Sequence, residues 1–185
     1  HQNLLDVLQR AGLAVLWLDN QSGCKGVCDR VPNATTRELN LPGLCADGEC
    51  FDDAMLNGLD QRIAALDPQR RARGVVIVMH QMGSHGPAYW KRYPDRFEAF
   101  KPTCKESQFS RCTRDEIVNA YDNTILYTDH VVAKIVSLLE KSERQGKAAA
   151  MQLDALRSTH PIRAEIHDVA EAGEAFDLIT YEKGG

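Results

Sequence analysis

The residues best suited to chemistry fall in one loop and in three cysteine pairs. The loop is His80-Gln81-Met82-Gly83-Ser84-His85-Gly86-Pro87, and it follows directly on Gly74-Val75-Val76-Ile77-Val78-Met79. That apolar, largely β-branched run predicts a strand covered on both faces, as in a parallel sheet. Open α/β sheets bind ligands at the carboxyl ends of their strands. A polar, glycine-punctuated loop with two histidines at that place is therefore a candidate binding site.

The six cysteines pair by proximity as Cys24 with Cys28, Cys45 with Cys50, and Cys104 with Cys112. Each pair brackets turn-forming or polar residues, so its Cα atoms can approach to disulfide distance. An even count in local pairs points to an oxidising compartment. Other readings stay open at this level. Six cysteines allow fifteen pairings. Cys24, Cys28, Cys45 and Cys50 could instead hold a structural zinc, though their spacing is looser than a two-residue knuckle. Free thiols are the third option.

These residues need elements to position them. Leu4, Leu5, Val7 and Leu8 recur at helical spacing and stop at Gly12, a favoured helix end. Leu13 to Leu18 predicts a buried strand closing on Asp19-Asn20. The stretch from Cys24 to Cys50, rich in Gly, Pro, Asn and Asp, reads as a tied loop; Asn33-Ala34-Thr35 within it matches a glycosylation sequon by pattern only. Met55, Leu56, Leu59, Ile63 and Leu66 predict one helix from Asp53, broken at Asp67-Pro68. Arg70, Arg71 and Arg73 read as a solvated turn. Thr113-Arg114-Asp115-Glu116 has the capping-box pattern and opens a long helix to about Lys141. Its expected stripe is Ile117, Tyr121, Ile125, Thr128, Val132, Ile135 and Leu139. Helices alternating with strands make the fold class α/β.

Bulk properties narrow the partners. The 185 residues carry a net charge of -4, which argues against nucleic acid, whose phosphates need a clustered basic surface. No run approaches the ~20 apolar residues of a membrane span. The first residues lack a leader pattern and an initiator Met, so the sequence reads as an internal segment or a mature domain.

Three ordered motifs carry a family resemblance over about residues 1–143: Trp17-Leu18-Asp19-Asn20-Gln21-Ser22-Gly23-Cys24-Lys25-Gly26-Val27-Cys28; His80 to Tyr89 with Lys91-Arg92-Tyr93; and Asn119-Ala120-Tyr121-Asp122-Asn123 with Thr128-Asp129. This resembles the lipid A phosphoethanolamine transferases of the alkaline phosphatase superfamily, a family that includes enzymes of polymyxin resistance. The resemblance implies a truncated alkaline-phosphatase-like α/β/α sandwich on the periplasmic face of the bacterial inner membrane. It implies zinc, a threonine nucleophile, phosphatidylethanolamine as donor and lipid A as acceptor. It also implies local disulfides. His85 falls on a histidine that lines the phosphoethanolamine site, and Lys25 on a lysine near it. Either can stabilise charge on a transferring phosphoryl group. His80 is expected to be structural, buried and bonded to backbone. His130 is expected to pack or face solvent.

The same resemblance marks gaps. The nucleophilic threonine and its acidic zinc ligand would precede His1, and no Asp-His-Gly zinc motif occurs; Asp129-His130 is followed by Val131 inside a helix. The chain is thus expected to hold no catalytic residue and no metal ligand, and to be inactive alone. After a junction at 144–150, residues 151–185 resemble a segment of the M1 zinc aminopeptidases without their zinc motif; His160 and His167, seven apart, form no compact chelate. The competing functional readings are a binding remnant for phosphorylated head groups and a metallopeptidase fragment.

Overall fold

The computed structural model describes residues 1–144. The junction from 145 and the 151–185 segment, with its aminopeptidase resemblance, lie outside the described residues. Helix α1 (Leu4–Arg10) starts where Asn3 Oδ1 accepts the N–H groups of Leu5 and Asp6 and Asp6 returns the bond to Asn3 N, a reciprocal cap. Gly12, at φ +88°, turns the chain out of it. Strand β1 (Ala14–Asp19) is buried at every position.

Short strand β2 (Asn33–Thr35) and later strand β5 (Val75–His80) both pair with β1 in parallel, giving the order β2-β1-β5. Helices cover both faces. On one, Val15, Trp17 and Val78 pack with Leu5 and Leu8 of α1. On the other, Leu16, Leu18 and Met79 pack with Met55, Leu66, Leu59 of α2 (Leu59–Ala64) and Ile135 of α4 (Arg114–Arg144). The α/β class and its α/β/α layering therefore stand, on a sheet of three strands among the described residues.

Several elements differ from the sequence expectation. The tied loop from Cys24 to Cys50 contains β2 and an antiparallel hairpin, β3 (Cys45–Ala46) with β4 (Glu49–Cys50). Strands of two or three residues carry no period to detect. The hairpin turns through Asp47 and Gly48, both at positive φ (53° and 76°), as a two-residue primed turn demands. The helix expected from Asp53 is split into a 3₁₀ turn, Asp52–Leu56, and α2, with Gly58 at φ +68° between them. Asp67-Pro68 begins a new helix, α3 (Pro68–Arg73), capped by Asp67 on Arg70 N. The arginines are not merely solvated: Arg70 donates to the carbonyls of Gln9 and Leu13, and Arg71 to that of Leu66.

Helix α4 opens on the expected Thr113–Glu116 box, but its buried line is Ala120, Asn123, Thr124, Tyr127, Thr128 and Val131. Tyr121 and Val132 are exposed. The inward face was masked by polarity. Asn123 is fully enclosed because its amide oxygen accepts from Ala99 and Phe100 N–H while its nitrogen donates to the Phe100 carbonyl. A polar side chain so satisfied loses little by burial.

All six cysteines are bonded, as Cys24–Cys28, Cys45–Cys50 and Cys104–Cys112. The zinc reading of the first four is thereby excluded, because a disulfide sulfur is no thiolate ligand.

One ion pair ties α1 to the β1–β2 connection. Arg30 Nε and its terminal nitrogen each lie 2.7 Å from an Asp6 carboxylate oxygen. That guanidinium, and then the Asn3 N–H, hold the Asp6 carboxyl well below the usual carboxylate range. As pH falls, the unfolded chain takes up this proton first. The contribution is complete above about pH 4 and is lost below it. We expect Asp6→Asn to lower the thermal midpoint at neutral pH and to flatten the acid limb of stability. Melts from about pH 2 to 7 check this, and identical slopes for both proteins would refute it.

Candidate functional site

The ends of β1 and β5 lie side by side, with Asp19 in register with His80. Asp19, only 5% exposed, accepts on both oxygens: His80 Nδ1 is 2.6 Å from Oδ1 and Gly23 N is 2.8 Å from Oδ2. His80 is thus structural but bonded to a carboxylate and not to backbone, since the strand register delivers Asp19 to its ring. Asn20 N continues the ladder to the His80 carbonyl at 2.9 Å.

Asp52 completes the frame. Its Oδ1 accepts from Asn20 Nδ2 at 2.7 Å and Met82 N at 2.8 Å, and its Oδ2 from Gly83 N at 2.9 Å. Asn20 also donates to the Cys50 carbonyl and accepts from Thr36 Oγ1, while Gln21 Nε2 donates to the Gln81 carbonyl. Ser84 and Thr124 hydroxyls meet at 2.6 Å, fixing the second loop to α4. The loops leaving β1 and β5 are therefore held to one scaffold.

Each loop presents one of the expected binding residues. Lys25 sits at φ +51° between Gly23 and Gly26, both also at positive φ, inside the Cys24–Cys28 ring. It is exposed, and its ammonium has no bonded partner among the described residues. His85 is exposed on the β5 loop, with Nδ1 3.0 Å from the Gly86 carbonyl. A carbonyl can only accept, so the neutral ring carries its proton on Nδ1 and leaves Nε2 as a free acceptor. His130 packs against Phe97 and Tyr127, away from these loops. The surrounding Asp19, Asn20 and Arg92 stood in the family motifs without a role of their own, and Asp52 stood in none. The polar pair ending the β1 run was a signal for the first two; Asp52 had none.

A lysine and a histidine on neighbouring loops at the carboxyl edge of a parallel sheet suit an anionic group, above all a phosphoryl group. The comparisons with known proteins agree in kind. Residues 1–149 match the sulfatase family model. The chain belongs to the sulfatase family. This sulfatase-family chain is 49% identical over 142 residues to phosphoethanolamine transferase EptA of Salmonella typhimurium, covering 77% of the chain and 25% of that protein. It is 39% identical over 145 residues to phosphatidylethanolamine transferase Mcr-1 of Escherichia coli, covering 75% and 26%. It thus spans about a quarter of the length of these relatives. The soluble domain of lipooligosaccharide phosphoethanolamine transferase A from Neisseria meningitidis superposes with a TM-score of 0.67 at 46% identity, over 75% of this chain and 40% of that one. The integral membrane form of the same enzyme gives 0.68 at 45%, over 75% and 25%. The fold is accordingly that of the alkaline-phosphatase-like soluble domains. Among the described residues no helix is long and apolar enough to cross a membrane.

Sulfatase-family enzymes typically use metal ions, and the described residues do not fit one. The one His/Cys/Asp/Glu group close enough among them is Cys24, Cys28 and Asp29, and both sulfurs are spent in a disulfide. Asp19 and His80 bond each other, and no third His, Cys, Asp or Glu ligand atom groups with them among the described residues.

The Asp52 frame can be tested directly. Asp52→Ala would leave the Asn20 amide and the Met82 and Gly83 N–H groups without their acceptor, a cost of roughly 2–4 kcal/mol. We expect a lower urea midpoint with unchanged slope, and a loss under about 0.5 kcal/mol would show that the frame is not needed.

Proposed function

We propose that this chain is part of the catalytic domain, residues 1–143, of a transferase that moves phosphoethanolamine from phosphatidylethanolamine to lipid A on the periplasmic face of the bacterial inner membrane. One observation carries the reading: Lys25 and His85, with free ammonium and free Nε2, stand on adjacent loops at the carboxyl edge of the sheet. In that role the Lys25 ammonium offsets charge on a phosphoryl oxygen as a compact point charge. His85 Nε2 accepts a proton as a neutral ring or donates one as imidazolium. Both act best while held still, which the Asp19 and Asp52 networks ensure. Zinc and the threonine nucleophile belong to the longer enzyme, and the metal's ligands are not among the described residues.

The test is a segment exchange. Residues 1–143 replace the matching stretch of the Salmonella typhimurium transferase, and phosphoethanolamine on lipid A is measured by mass spectrometry. We expect the chimera to transfer the group and the 185-residue chain alone, with zinc added, to yield none. Lys25→Ala and His85→Ala in the chimera should each lower kcat by about ten- to a hundredfold. Full activity in both variants, or a folded but inactive chimera, would overturn the proposal.

A further inference from the structure

Arg92 ties the β5 loop to the β3–β4 hairpin. Its side chain is only 10% exposed. Its backbone N–H is bonded to the Tyr89 carbonyl at 2.9 Å, at the end of the 3₁₀ turn Tyr89–Lys91. From there Nε donates to the His85 carbonyl at 2.9 Å, and a terminal nitrogen lies 3.5 Å from Glu49 Oε2. Glu49 belongs to the β3–β4 hairpin that Cys45–Cys50 closes. The turn itself is pressed onto the loop, since a Cβ placed on Gly86 would lie 3.0 Å from the Tyr89 hydroxyl. The guanidinium therefore bridges a braced hairpin and the one residue of the β5 loop that presents a free imidazole.

We propose that Arg92 is a positioning residue that sets the ring orientation and tautomer of His85, with Glu49 as its outer anchor; the catalytic consequence rests on the function proposed above, the structural link does not. Two consecutive carbonyls share the work. That of His85 is held from outside by Arg92, which fixes the plane of the 85–86 peptide. That of Gly86 lies in the next peptide, one glycine hinge away, and accepts from His85 Nδ1. Holding the proton on Nδ1 keeps Nε2 bare toward the open side of the loop. Without Arg92 the 85–86 peptide loses its outer tether, the hinge at Gly86 loosens, the Nδ1 bond weakens, and the ring shifts toward the Nε2–H form that a free imidazole prefers. Only the Nε donor of arginine reaches the carbonyl while the other end of the same plane reaches a carboxylate, a fork that lysine lacks.

The experiment has two arms. In the full 185-residue chain, the ring nitrogens of His85 are read by ¹⁵N correlation spectroscopy with the imidazole in its neutral form. We expect the Nδ1–H tautomer to dominate in the wild type and the Nε2–H form to dominate in both Arg92→Ala and Arg92→Lys, with Glu49→Gln in between. In the chimera, Arg92→Ala should lower kcat by about tenfold with KM changed less, and the double variant with His85→Ala should be no slower than His85→Ala alone. A His85 spectrum unchanged by all three variants overturns the proposal, as does a loss that multiplies with that of His85→Ala. Should Arg92→Ala unfold the chain, Arg92→Lys carries the test, because it keeps charge and bulk and removes only the fork. A chimera with no transfer at all would remove the catalytic reading and leave the tautomer measurement to decide the link.

Discussion

Asp52 is 2% exposed, and its two oxygens gather donors from the residue after β1 and from two successive amides after β5. Strand pairing brings the ends of β1 and β5 together but leaves the chain beyond them undetermined. A buried carboxylate can specify that path, because each N–H must find an acceptor once water is excluded. The Asp19–His80 contact repeats the logic one residue earlier. Between them, the two carboxylates turn a pair of strand ends into a rigid rim on which Lys25 and His85 stand.

The sheet's centre was plain in the sequence, since Leu13 to Leu18 and Val75 to Met79 are uninterrupted apolar runs and burial on both faces leaves no other use for them. The α1 stop at Gly12 and the Thr113 box were plain for similar reasons, each being a local signal with a local cause. What escaped notice was set by distant partners. Asn123 and Thr124 look outward-facing by polarity and are enclosed because the 99–100 backbone and Ser84 meet them. Asp52 looks like one more acid in a polar stretch until the fold places two amides against it. The loop that holds His85 was legible from its place at the end of an apolar strand, but His85 and Lys25 took a phosphoryl-binding role only through the family motifs.

The family match and the described residues differ in scope. The fold is that of phosphoethanolamine transferase soluble domains, at 45–46% identity to the Neisseria enzyme, while the described residues assemble no metal site. In the sheet each strand end contributes its own loop to a shared edge.

The three disulfides join first to second, third to fourth and fifth to sixth cysteine, with separations of four, five and eight residues. Nearest-neighbour pairing of this kind has a consequence for biogenesis. In a chain emerging from its N-terminus into an oxidising space, each first cysteine of a pair would meet its correct mate before any later wrong one, and the earlier cysteines would already be bonded. The bonds can then be made in order by a simple oxidant, with no shuffling by an isomerase, and the Lys25 and Glu49 turns are already shaped when the later strand β5 arrives to dock.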